Sequence, residues 1–188
     1  MKIVLASASA RRKEILSMVC DDFEIRISNA NEDYSPDIPL YDVARLLAER
    51  KALSVPMNDG EIIIGCDTVV LCDGELMGKP KDRDDAIRML EKLSKNAHSV
   101  ISGICVRSCD KMFCDSVESF VYMREMSRAE IEKYVDKEQP YDKAGAYGIQ
   151  ESAGAFVSRI DGDFYNIVGL PICRLVEILR DEFSILTV

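Results

Sequence analysis

The segment Tyr141-Asp142-Lys143-Ala144-Gly145-Ala146-Tyr147-Gly148-Ile149-Gln150 sets an acid, a base, two glycines and a terminal amide within ten residues, a mixture that neither a helix nor a core strand favours. Gly145 and Gly148 let the backbone take positive φ or pass close to a ligand. Lys143 and Gln150 then present a charged donor and an amide that both donates and accepts. The segment is either a glycine turn entering a strand or part of a site for a polar small molecule.

Asp67 is the sharpest anomaly elsewhere. It lies in the middle of the apolar run Ile62-Ile63-Ile64-Gly65-Cys66-Asp67-Thr68-Val69-Val70-Leu71. An ionised carboxylate there must be paired, metal-bound or exposed at a strand end, because desolvating it alone is costly. A strand-end aspartate can cap a neighbouring loop, but α/β sheets place working residues at strand C-termini. Glu32 and Asp33 belong to the acidic loop Asn31-Glu32-Asp33-Tyr34-Ser35-Pro36-Asp37, which alone reads as solvated surface. A carboxylate from that loop meeting Asp67 would make a hard-cation site for Mg²⁺ or Mn²⁺, able to bridge phosphate oxygens and activate a water.

Cations complete the inventory. Ser7-Ala8-Ser9-Ala10-Arg11-Arg12-Lys13 joins a strand to a helix N-terminus, where amides, hydroxyls and guanidinium groups can hold an anion such as phosphate. Ser9 as a simple cap is the alternative, but three cations in a first helical turn oppose the helix dipole and suggest a counter-anion. Lys51, near a helix end, and Lys79, in Gly78-Lys79-Pro80, read singly as surface lysines; Lys79, between a flexible and a rigid residue, is the better positioned. Several cations, an acidic pair and neutral hydrogen-bonding groups are the equipment for cleaving a phosphoanhydride with a divalent metal. There is no G-x-x-x-x-G-K-[ST], G-x-G-x-x-G or G-x-S-x-G, so P-loop, dinucleotide-fold and serine-hydrolase readings lack support.

The elements that must position these residues follow from periodicity. Strands are predicted at Ile3–Ala6, Phe23–Ile27, Ile62–Leu71, Ser99–Val106, Phe113–Met123 and Ala155–Ile160. Helices are predicted from about Arg11, with Ile15, Leu16 and Val19 on its core face, and over Leu40–Val55, with Val43, Leu46, Leu47 and Leu53 as apolar positions. Others run from an Asp82 or Asp84 cap to Leu93, from the capping box Ser127-Arg128-Ala129-Glu130 to Lys137, and from Pro171 to Phe183. Strands alternating with helices, with one antiparallel pair, make a mixed α/β fold.

The chain has 188 residues, 47% of them hydrophobic, enough for a buried core in a single domain spanning 1–188. A net charge of −9 argues against nucleic-acid binding, which needs dense Lys/Arg surfaces. Seven cysteines without a C-x-x-C pair read as reduced core thiols, and with His98 the only histidine a zinc site is nearly excluded. No segment approaches a membrane span or a secretory signal, so a soluble cytoplasmic protein is expected.

Together these pieces resemble the Maf family, nucleotide pyrophosphatases once described as septum-formation inhibitors. The resemblance runs end to end, on Leu5-Ala6-Ser7-Ala8-Ser9-Ala10-Arg11-Arg12, Gly65-Cys66-Asp67-Thr68-Val69-Val70, Gly78-Lys79-Pro80, Asp142 to Gln150, and Gly162-Asp163-Phe164-Tyr165-Asn166-Ile167-Val168-Gly169-Leu170-Pro171. It implies a mixed sheet flanked by helices with two lobes around a central cleft (Maf/ITPase-like), a homodimer, and hydrolysis of a nucleoside triphosphate between the α and β phosphates. It implies Asp67 as proton acceptor, Ser7, Arg12, Lys51, Lys79 and Lys143 on the phosphates, and Glu32 beside Asp67 on a divalent metal cation, Mg²⁺ or Mn²⁺. Arg11, Thr68 and Gln150 match the dTTP/UTP branch rather than the 7-methyl-GTP branch. Ala10 stands where Pro is usual and Glu151 where Gly is usual. The expectation is a cytoplasmic dTTP/UTP pyrophosphatase. The same chemistry on modified nucleotides, and a nucleotide-binding regulator of cell division with little turnover, are the other readings.

Overall fold

The computed structural model describes residues 1–187. In chain order these form β1 (Lys2–Leu5), α1 (Ala10–Leu16), β2 (Phe23–Ile25), α2 (Val43–Ser54), β3 (Glu61–Cys72), β4 (Glu75–Met77), α3 (Arg83–Leu93), β5 (Ala97–Arg107), β6 (Met112–Met123), α4 (Arg128–Glu138), β7 (Val157–Asp161), α5 (Phe164–Val168) and α6 (Ile172–Phe183). Short 3₁₀ turns occupy Leu40–Asp42, Ala144–Ala146 and Ser152–Phe156. The strands form one sheet in the order β2-β1-β3-β5-β6-β7, with β4 paired to β3. β1 is parallel to β2 and β3, whereas β4 is antiparallel to β3 and β7 to β6. The architecture is the expected mixed α/β sheet with helices. β4 and α5 are additions; at three and five residues, each is too short to show a period.

The chain divides into two compact units, the first built from residues 1–68, 102–117 and Tyr165 onward, the second from 69–101 and 118–164. In the first, β1 and β3 pair until Leu5 faces Ile64, and the Ala6 amide still donates to the Ile64 carbonyl at 2.8 Å. β1 then turns away while β3 runs on. Asp67 is therefore not at the end of its own twelve-residue strand; it lies three residues beyond Ile64, the last β3 residue paired with the parallel partner β1. The first helix ends at Leu16 with Ile15 and Leu16 buried, so Val19 falls outside it.

α2 is seated by small residues. A Cβ on Gly65 would lie 2.2 Å from the Ala48 carbonyl oxygen and 2.7 Å from the Ala52 amide, and one on Gly103 only 2.2 Å from the Ala44 carbonyl oxygen. Ala44, Ala48 and Ala52, one turn apart and fully buried, thus lay the helix backbone directly on two glycine gaps in β3 and β5. Leu53, expected on the apolar face, is exposed. This seating brings Lys51, in the last turn, over β3.

In the second unit α3 packs on α4, with Arg83 bridging to Asp136 at 2.6 Å. Asp82 caps α3 by accepting from the Asp85 amide at 2.8 Å. The expected capping box at Ser127 and Glu130 is present in full. His98 lies within β5, buried, with Nε2 2.7 Å from the Tyr147 hydroxyl and Nδ1 without a partner. Burial holds its pKa down at about 4. The unfolded chain takes up this proton below about pH 6.5 while the fold refuses it until about pH 4. Stability is therefore fully present above that window and falls through it. Urea unfolding near pH 7 and near pH 4.5 should show wild type losing roughly 2 kcal/mol more than His98→Gln.

Not all cysteines are core thiols: Cys109 and Cys173 are exposed. Among the described residues no helix is long and apolar enough to cross a membrane.

Candidate active site

The segment after β1 is organised around Arg12. Ser9 caps α1, its hydroxyl accepting from the Arg12 amide at 3.4 Å. The Arg12 side chain folds back, donating through Nε to the Gly169 carbonyl (2.8 Å), through Nη1 to the Ser7 hydroxyl (3.4 Å) and through Nη2 to the Thr68 hydroxyl (3.2 Å). A guanidinium carries five N–H donors, so two remain for an anion after the plane has been fixed. Ser7 is itself buried and accepts from the Ser9 amide at 3.2 Å.

Gly169 makes this possible. It follows α5 with φ +125°, a conformation that favours glycine, and turns its carbonyl toward Arg12, Thr68 and the Cys66 thiol, which donates at 3.1 Å. Thr68 is also 2.8 Å from the Ser102 hydroxyl, which donates on to the Asn166 carbonyl at 2.9 Å; the Ser102 amide donates to Asn166 Oδ1 at 3.2 Å. Ser102 and Asn166 are fully buried. Sequence reading assigned no role to Gly169, Ser102 or Asn166. Only the segment from Gly162 to Pro171 marked two of them, and a backbone carbonyl leaves no signature in residue type.

Asp67 is buried and paired. Lys51 Nζ lies 2.5 Å from Asp67 Oδ1 and 2.7 Å from Glu32 Oε1. Lys51 is no surface lysine, its side chain being 13% exposed. Burial is the largest single influence on its ammonium and opposes the charge. The Asp67 charge and the hydrogen bonds to Asp67 and Glu32 outweigh it and raise the pKa above its ordinary value, with Arg12 pulling the other way. The acidic loop is tied to α2 by Arg50, whose Nη1 donates to the carbonyls of Asp33 and Asn31. It is thus Glu32 and not Asp33 whose carboxylate reaches the Lys51 ammonium.

Two carboxylates around one cationic point fit Mg²⁺ or Mn²⁺, which take hard oxygen ligands and leave other positions to water and phosphate. Among the described residues no group of three or more His, Cys, Asp or Glu side chains is assembled for a metal, and the partner that Asp67 and Glu32 share here is the Lys51 ammonium.

The second unit carries Lys79, Lys143 and Gln150. The Gly145 amide donates to the Gly78 carbonyl at 3.1 Å, tying the Gly78-Lys79-Pro80 turn to the loop that holds Lys143. Gly145 has φ +69° and Ala146, unexpectedly for a non-glycine, φ +60°. Lys79 and Gln150 are exposed, Gln150 in the turn closed by the Glu151 amide donating to the Gly148 carbonyl at 3.0 Å. Lys143, only 10% exposed, pairs with Asp142 at 2.8 Å and Glu151 at 3.3 Å. Arg11 is half-buried beside Arg12 in α1.

The family described as Maf-like protein matches residues 2–182. The chain is 44% identical over 182 residues to the dTTP/UTP pyrophosphatase of Aquifex aeolicus, covering 96% of this chain and 95% of that protein. It is 45% identical over 188 residues to that of Clostridium novyi (96% and 97% covered) and 43% identical over 186 residues to that of Thermosipho africanus (97% and 94%). This chain belongs to the Maf family.

Proposed function

We propose that the protein hydrolyses dTTP and UTP between the α and β phosphates, releasing the monophosphate and pyrophosphate. The observation that carries this reading is the buried Asp67–Lys51 pair with Glu32 on the same ammonium, in a chain so similar to proteins named for that activity.

Asp67 acts as proton acceptor for the attacking water. Lys51 holds Oδ1, so the carboxylate is oriented and its second oxygen faces the water. Lys51 stays charged across the neutral range and, with Arg12, offsets negative charge that grows on the phosphates as the bond breaks. Ser7 is assigned to phosphate as well, and so, in the second unit, are Lys79 and Lys143. Asp67 and Glu32 would hold a divalent cation, which when bound supplies charge neutralisation and a more acidic water.

Base selection is assigned to Arg11, Thr68 and Gln150. The Gln150 amide can donate to a pyrimidine carbonyl and accept from its imide N–H, whereas a carboxylate cannot donate. Gln150→Glu is expected to lower kcat/KM for dTTP and UTP by roughly tenfold or more, from one lost hydrogen bond and one misplaced charge. A nucleotide panel with pyrophosphate detection, run on wild type and Gln150→Glu together, tests the reading. An unchanged ranking of nucleotides would remove Gln150 from base recognition, and a flat wild-type ranking would point to modified nucleotides as the substrate class. The reading extends to a cytoplasmic homodimer, which sedimentation equilibrium checks.

A further inference from the structure

Lys143 already has an anion. Its side chain is nearly enclosed, and its ammonium donates to Asp142 Oδ1 at 2.8 Å and is ion-paired with Glu151 Oε1 at 3.3 Å. The two carboxylates are not equivalent. The Asp142 side chain is 64% exposed and that of Glu151 34%, so the first swings into solvent readily and the second does not. Glu151 is also fixed through its backbone, its amide donating to the Gly148 carbonyl and its carbonyl accepting from the Gly154 amide, both at 3.0 Å.

Gly148 shows how closely the pair is fitted. A Cβ there would stand 2.9 Å from Glu151 Oε2 and 3.0 Å from Lys143 Cε. The Glu151 carboxylate and the Lys143 stem therefore lie across the bare face of this glycine. The Glu138 carboxylate, held below its ordinary range chiefly by hydrogen bonds from Lys137 and Ser152, also feels the Lys143 charge.

We infer that Glu151 is an affinity-determining residue for the phosphate end of the substrate. Its carboxylate sits on Lys143 as an internal stand-in for a phosphate oxygen and must be displaced before the ammonium can take a real one. This rests on the assignment of Lys143 to phosphate. The consequence is weaker polyphosphate binding than the lysine alone would give, and faster loss of pyrophosphate after cleavage.

The test is calorimetric titration of pyrophosphate into the full chain at fixed Mg²⁺ and ionic strength, for wild type, Glu151→Gln, Lys143→Met and the double variant. Glu151→Gln keeps the size of the side chain but removes the charge, and should bind pyrophosphate roughly two- to fivefold more tightly, the range of a partly exposed ion pair. The nucleotide KM should fall with it. Lys143→Met should bind more weakly, and in that background Glu151→Gln should change nothing. If Lys143→Met leaves pyrophosphate binding unaltered, the phosphate assignment itself is wrong and the inference goes with it. If Lys143→Met weakens binding but Glu151→Gln fails to tighten it, the assignment stands and the role of Glu151 does not. Tightening that persists without Lys143 would mean only a diffuse charge effect and would also overturn the inference.

Discussion

Asp67→Asn is expected to slow pyrophosphate release by about a hundred- to ten-thousandfold, the usual contribution of a positioned acid–base group. The substitution keeps the shape of the side chain and an oxygen that can still accept from Lys51, now 2.5 Å away. It removes the negative charge and the ability to take a proton. Lys51 feels the change too, because the Asp67 charge is the foremost influence raising its pKa against burial; in the variant that pKa falls. Nucleotide dissociation constants measured on the same protein separate the two effects. A loss confined to kcat is the expected pattern for an interaction made in the transition state. A variant that turned over at more than about a third of the wild-type rate would take Asp67 out of the proton-acceptor role.

The second large effect is structural. Gly65→Val should destabilise the fold by more than about 3 kcal/mol and abolish activity, at a residue whose bare face is covered by α2. The first added carbon alone would stand 2.2 Å from the Ala48 carbonyl oxygen and 2.9 Å from the Ala52 Cβ. Those atoms belong to α2 itself, so the helix must lift from β3 to make room. Lys51 lifts with it, away from Asp67 on the strand below. Gly78→Ala is the matching control: nothing lies within 4 Å of its Cβ position, so urea midpoints should move little. A Gly65→Val protein as stable as wild type would show that α2 is not seated on the glycine gap.

The same gap explains where sequence reading succeeded and where it stopped. The capping box at Ser127, the Asp82 cap and the buried run of β3 follow local rules, and the structure contains them. α2 was legible as a helix, and Val43 and Leu47 of its expected apolar face are buried, but the alanine stripe that meets the sheet was not legible. Leucines carried the expected period, whereas Ala44, Ala48 and Ala52 make the contact because glycines on the sheet admit backbone and not side chains. That is why Lys51 read as surface: its depth depends on Gly65 and Gly103, distant in sequence. Asp67 was legible because a carboxylate among β-branched residues is anomalous in any context. Its surroundings were less so. The Gly169 carbonyl that aims Arg12, and the Ser102–Asn166 chain behind Thr68, are a backbone group and small polar side chains that residue type alone does not single out.

The most direct measurement is a product analysis of the full chain with Mg²⁺ and dTTP or UTP in ¹⁸O-labelled water, for wild type and Asp67→Asn in parallel. The predicted result is nucleoside monophosphate plus pyrophosphate from wild type, with one labelled oxygen incorporated, and almost no product from the variant. Diphosphate plus inorganic phosphate would contradict cleavage at the α–β bond, and tight nucleotide binding with no hydrolysis would identify a nucleotide-binding regulator instead.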